Sequence, residues 1–215
     1  MIINNTDNNV FTSRNRTIRY ADDIARKVNK LYPALSTSRV TCYDDYALHP
    51  NLQDKISMLK IQFVRKMRDK LYDNAINFTK KIEAFINPVR LYKTANCGEK
   101  THLASIMAKM NGIKNCRLAF LYNANGRDLD HTVLFVDDKK PYIIDAWLGF
   151  ADYVPNALQR YQQEYKQFFD IREGYSIGFA TKFDDEFTHF FKKDFTKKQR
   201  KEIRKVFPEL VLNDK

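Results

Sequence analysis

Three side chains of this 215-residue chain, Cys97, His131 and Asp145, have the types and surroundings for covalent chemistry in concert. Cys97 stands in Asn96-Cys97-Gly98-Glu99, at the front of a short helix predicted over Leu103 to Met110 and closed by Asn111-Gly112. A thiol at a helix N-terminus meets unpaired N–H groups and the positive end of the helix dipole, and both favour the thiolate. Cys97 is therefore the candidate nucleophile. Gly98 removes a side chain where a substrate carbonyl would approach, and the Cys97 N–H or the Asn96 side chain could face the oxyanion formed there.

A sulfur nucleophile needs a base that can later protonate the leaving amine, and a carboxylate to hold that base in one tautomer. Asp130-His131-Thr132 opens one predicted strand and Asp145 closes the next. With a loop of about three residues, Val136 pairs with Lys140 and His131 falls opposite Asp145 on one face of the hairpin. A slip of one residue would put Asp145 on the far face. Val133 and Phe135 share the face of His131, while Leu134 and Val136 fill the other; a sheet apolar on both faces is expected to be covered on both. Trp147 reads as a core or cleft-wall residue whose ring, near the imidazole, would exclude water.

The remaining titratable candidates have plainer readings. Cys42 and Cys116 fit buried packing thiols, whereas Cys97 has polar neighbours, Asn96, Glu99 and Lys100, unlike those of a core position. Glu99 suits a first turn. His49, His102 and His189 lie in polar stretches and read as surface residues. Asp128 and Asp130 are alternatives to Asp145 as partner for His131, and Asp130 is the weaker because adjacent strand residues point to opposite faces. Three widely spaced cysteines argue against a disulfide framework and a CxxC zinc site, and the thiol chemistry itself needs no metal and no organic cofactor.

The elements around these residues are expected to be helical, then stranded, then helical. Residues 1–16 have no hydrophobic period and read as a flexible tail. Residues 17–32 repeat apolar side chains at helical spacing up to Pro33, and 52–86 do so over a longer stretch, either as one helix or as two broken near Asn74 to Asn77, ending at Asn87-Pro88. Strands are predicted at Cys116–Tyr122, His131–Val136 and Tyr142–Ala146, with a further one near 174–180, and helices near 155–169 and 194–206. This is an α+β pattern in one domain over 17–215, with a helical half (17–88) and a chemical core (89–180).

In the order Cys, His, Asp, with NCGE opening a helix, DHT opening a strand and IIDAW ending the next, residues 90–150 resemble papain-like cysteine enzymes. More narrowly they resemble the bacterial effector and toxin members: glutamine deamidases, YopT-like proteases and transglutaminase-like enzymes. The resemblance implies a papain-like core in which Cys97 attacks a carbonyl or carboxamide, His131 shuttles the proton and Asp145 orients the ring. It departs from papain at two points: Asp145 stands where papain has Asn, and Arg90 to Ala95 lacks the upstream oxyanion Gln. The function implied is thiol-dependent acyl transfer from amide bonds of a protein substrate, as a glutamine deamidase or cysteine protease, with transglutamination as an alternative.

The formal charge of +11 attracts acidic surfaces, so a catalytically inactive basic module binding nucleic acid or anionic lipid is the reading from a different class. Basic side chains such as those of Lys192–Lys205 more simply solvate helix faces. With no long apolar run and no secretory signal in the first twenty residues, the chain is expected to be soluble and made in the cytoplasm. The resemblance adds export into a host cell as an effector, acting on a host protein.

Overall fold

The segment Cys97–Met110 carries apolar residues around its circumference and has no separate polar face, and a helix with that pattern is stable only when surrounded. In a computed structural model that describes residues 6–31, 52–123, 128–163, 175–179 and 190–212, it is the central helix. The elements are α1 (Thr6–Leu31), α2 (Leu52–Asp73), α3 (Phe78–Tyr92), α4 (Cys97–Met110), β1 (Cys116–Asn123), β2 (Asp128–Val136), β3 (Tyr142–Asp145), β4 (Phe150–Tyr153), α5 (Val154–Gln163), β5 (Tyr175–Phe179), α6 (Lys197–Val206) and a 3-10 turn, Pro208–Leu210. All residues of α4 except Gly98 and His102 are buried.

The protein is α+β and mostly helical, with one antiparallel sheet in the order β4-β3-β2-β1-β5. One face of the sheet meets the larger core, in which Leu134, Val136 and Ile144 pack with Ile24 and Val28 of α1, Ile86 and Val89 of α3, and Ile106 and Met107 of α4. The other face carries Val133, Phe135, Ile143 and Phe150 and is covered by Ala157 and Tyr161 of α5. Both faces are covered, as alternating apolar residues on β2 require.

Several expected boundaries shift. The backbone is already helical from Thr6, so the stretch read as a loose tail over 1–16 is helical for most of its length. Once the packed turns around Ala21 to Val28 exist, adding further turns is far easier than nucleating them. The break in the long helical pattern falls at 74–77, where Asn77 caps α3 by accepting from the Lys80 N–H at 2.9 Å. Asn87-Pro88 does not end α3, which runs on to Tyr92. The Pro88 ring is buried with Ile86 and Val89, and that burial offsets the missing hydrogen bond. Phe150–Tyr153, unassigned in the sequence, completes the sheet beside β3.

A buried cation ties the C-terminal region to α4. Lys109, one of the largest fully buried side chains, donates to the Phe191 and Lys193 carbonyls at 2.6 and 2.7 Å. Replacing it by Met would keep the volume but strand both carbonyls, so Lys109→Met should cost about 2–4 kcal/mol in urea unfolding. A loss below about 0.5 kcal/mol would show that water takes the place of the ammonium.

Candidate active site

The N-terminus of α4 is fixed by a capping box. The Asn96 side chain accepts from the Cys97 N–H at 2.8 Å, and the Glu99 carboxylate accepts from the Asn96 N–H at 3.0 Å. Glu99 is itself buried and bonded by Arg65 of α2 at 2.9 Å; burial resists its charge, but that guanidinium holds its carboxyl below the usual range. Cys97 is thus held at the first position of a helix whose start is anchored from two directions. The sequence offered the Cys97 N–H as an oxyanion donor, and the fold turns this group to Asn96 Oδ1 instead. Asn96, the other suggested donor, uses its Oδ1 as acceptor in this cap, and its donor is the Nδ2 amide.

The fold alters the pairing that was expected to bring in the acid and base, yet keeps its result. The connection holds five residues, 137–141, and Val136 pairs with Tyr142 rather than Lys140. Continuing this register sets Asp145 opposite Val133, two residues along from His131. A two-residue shift leaves every side chain on its face, and a diagonal neighbour remains within reach. His131 Nε2 lies 2.6 Å from Asp145 Oδ2. His131 also stands in a bulge: between the pairs Phe120–Thr132 and Tyr122–Asp128, Leu121 alone opposes residues 129–131. Such bulges re-aim a side chain.

Asp145 has no exposed surface, and both of its oxygens are satisfied. Oδ1 accepts from the Trp147 and Leu148 N–H groups at 3.0 and 2.9 Å, while Oδ2 accepts from Tyr161 Oη at 2.8 Å besides meeting His131. Burial opposes its charge; the His131 ring and these donors outweigh it and hold the carboxyl below its ordinary value. For His131 burial likewise opposes the charged ring, but the Asp145 carboxylate and a hydrogen bond with the Cys97 thiol push its pKa up to about 10. Since Nε2 is engaged by Asp145, Nδ1 is the nitrogen left for sulfur. The geometry therefore favours an imidazolium between two acceptors.

Trp147 closes one side of this pair. Its ring meets the imidazole edge to face with centroids 5.4 Å apart, the water-excluding position that the sequence suggested. Gly98 leaves open space: a Cβ built there would meet no atom within 4 Å. Cys97 itself is 6% exposed.

Two residues that the sequence did not single out hold the arrangement. Tyr161 arrives from α5 to the far oxygen of Asp145, and Thr101 Oγ1 lies 2.8 Å from both the Cys97 and the Thr132 carbonyls. The Thr101 hydroxyl thus bridges the helix bearing the thiol and the strand bearing the imidazole. Neither had a local signal: one is a tyrosine in an amphipathic helix, the other a threonine one turn into α4.

Other expectations divide. Cys116 is a buried packing thiol, pushed up to about 12 by burial. His102 is not a surface residue; it is half-buried, its ring stacked on Phe191 with centroids 4.9 Å apart. Glu99 and Lys100 are buried too, against the reading of polar, non-core neighbours, because each has a partner: Arg65 for the first, Asn29 Oδ1 at 2.6 Å for the second. Burial lowers Lys100 to about 8. Cys42, His49 and His189, and the side chains of Asp128 and Asp130, lie outside the described residues.

No helix among the described residues is long and apolar enough to cross a membrane. The class that fold and site define is an α+β protein with a buried Cys-His-Asp cluster at a helix–sheet junction. No family model, curated protein or solved structure matches the chain.

Two measurements follow from this geometry. Iodoacetamide should label Cys97 ahead of Cys116, and His131→Gln should slow that labelling. Identical labelling rates for the two proteins would rule out the pairing. His131 is raised on folding, so its contribution to stability is complete below about pH 6.5 and is lost as pH climbs toward 10. Lys100, lowered by burial, works in the opposite sense between about 8 and 10.5. The stability difference between wild type and His131→Gln should therefore shrink between pH 6.5 and 10 in denaturant titrations, with Lys100 cancelling from the comparison.

Proposed function

We propose that this chain is a thiol-dependent hydrolase or acyltransferase acting on amide bonds of a protein substrate, as a glutamine deamidase or a cysteine protease. The observation that carries the proposal is one buried imidazole bonded to both a carboxylate and a thiol that begins a helix. It is the arrangement that nucleophilic acyl transfer requires.

In the proposed cycle the thiol proton rests on His131 and the Cys97 sulfur attacks the amide carbon. The C–N bond breaks as His131 returns its proton to the departing amine, which is ammonia if the substrate is a glutamine side chain. A thioester remains on Cys97. Acylation removes the sulfur's negative charge, one of the causes that raise His131, so the ring becomes a better base for the incoming water. Water then adds to the carbonyl, giving up its proton to His131, and the C–S bond breaks to release the acid and restore the thiol. Asp145 keeps one tautomer throughout, and Tyr161 with the Trp147 and Leu148 N–H groups keeps Asp145 from turning.

The papain-like core, a kinship with bacterial effectors and export into a host cell belong to the same proposal. The first two rest on the motifs NCGE, DHT and IIDAW, and export rests on that kinship together with the Asn/Thr-rich stretch over residues 1–16. Strict retention in the producing cell in a secretion assay would remove the export element.

Mass spectrometry of candidate proteins treated with wild type or Cys97→Ala tests the chemistry. A gain of about one dalton marks deamidation, a new terminus proteolysis and an amine adduct transglutamination, because the thioester is released differently in each. No wild-type-dependent product would leave the basic binding module as the better account. Gly98→Ala offers a second check. Alanine has room and a better helix propensity, so stability should stay level or rise by up to about 1 kcal/mol. Turnover should nevertheless drop, on the order of tenfold or more, if the open space admits the substrate carbonyl.

A further inference from the structure

Among the described residues, four exposed large apolar side chains lie along α2 and at the end of α3, which leads into Cys97, while others, Ile76 among them, lie elsewhere. Met58, Leu59 and Phe63 of α2 are 45%, 53% and 53% exposed, and Leu91 in the last turn of α3 is 62% exposed. The Phe63 ring stacks on that of Tyr92, with centroids 6.1 Å apart and planes 18° from parallel, so α2 and the end of α3 share one continuous ridge. These helices form a hairpin about the turn at 74–77. Leu59, one turn before Phe63, therefore extends the ridge past the end of α3, where Lys93 to Asn96 lead into Cys97. Met58 lies on the same side of α2 as Arg65, seven residues on, and Arg65 reaches Glu99 in the first turn of α4.

The charges nearest Leu59 and Phe63 on their helical face are lysines. Lys55 is four residues before Leu59 and Lys66 three after Phe63, both exposed on the same helical face, and Lys93 is exposed where α3 ends. Two acidic residues of α2 lie near them in sequence: Asp54 directly precedes Lys55, and Asp69, three residues after Lys66, is paired with Arg68. An apolar strip rimmed by lysines matches a polypeptide segment that alternates apolar with acidic side chains.

We propose that this ridge docks the protein substrate and selects acidic, apolar segments of an extended chain for delivery to Cys97. The word substrate rests on the amide-hydrolase reading; the docking itself does not.

β-casein, an unfolded acidic protein rich in glutamine, serves as probe, and carbobenzoxy-Gln-Gly as a small neutral control. Two surface variants are compared, Leu59→Ser with Phe63→Ser and Lys55→Glu with Lys66→Glu, each checked for an unchanged circular dichroism spectrum. In a Cys97→Ala background, labelled casein should bind by fluorescence anisotropy, more weakly at high salt, and each double variant should lose about tenfold in affinity. Absence of casein binding, or equal binding by the variants, overturns the proposal. With Cys97 present, the variants should lose about tenfold in kcat/KM on casein while the dipeptide is turned over as before; an equal loss on both overturns it as well. If the parent binds casein through the ridge but turns over neither compound, docking stands and the amide-hydrolase reading falls. A dimer in sedimentation that the Leu59→Ser, Phe63→Ser variant dissolves would assign the ridge to a second copy and sink the proposal.

Discussion

Everything in the candidate site depends on keeping one carboxylate charged where no water reaches it. Desolvation alone would protonate Asp145, and a neutral acid would neither fix the His131 tautomer nor favour the imidazolium. The fold meets this with four donors: two backbone N–H groups from the turn that follows β3, a tyrosine hydroxyl from α5 and the imidazole. A buried charge is tolerable only when so completely partnered. The turn after Asp145 and the docking of α5 on the sheet can thus be understood as parts of the site as much as of the core.

A second constraint is mechanical. The thiol belongs to a helix and the imidazole to a strand, and each could move independently if only core packing joined them. Thr101 bridges them through backbone carbonyls one residue from His131 and at Cys97 itself. From the other side, the capping box fixes the first turn of α4, and Arg65 ties that box to α2 through Glu99. The cations buried beside this frame follow the same logic. Lys100 and Lys109 are held on α4 by oxygen acceptors, and each joins the helix to a distant part of the chain.

Much of this was legible from local pattern. The helix carrying Cys97, the strands carrying His131 and Asp145 and the two covered faces of the sheet all follow from periodicity and turn residues. The His131–Asp145 contact was anticipated from a register off by two residues. It survived because face depends only on parity, so the alternation was informative where the loop length was not. Pro88 misled for a related reason: a local steric rule was outweighed by burial that arises only when α3 packs in the core.

The sequence by itself determined which residues could do the chemistry and on what kind of element each would ride, since capping, alternation and helical spacing are properties of neighbouring residues. Only the tertiary structure decided the partners. Tyr161 for Asp145, Thr101 between helix and strand, Arg65 for Glu99 and Asn29 for Lys100 join positions 16 to 71 residues apart. The loss of the Cys97 N–H to Asn96, and the pairing of polar groups that looked solvent-exposed, were decided there too. A buried polar group must find a donor or acceptor somewhere, but which one it finds is set by how the elements pack, and no local pattern records that.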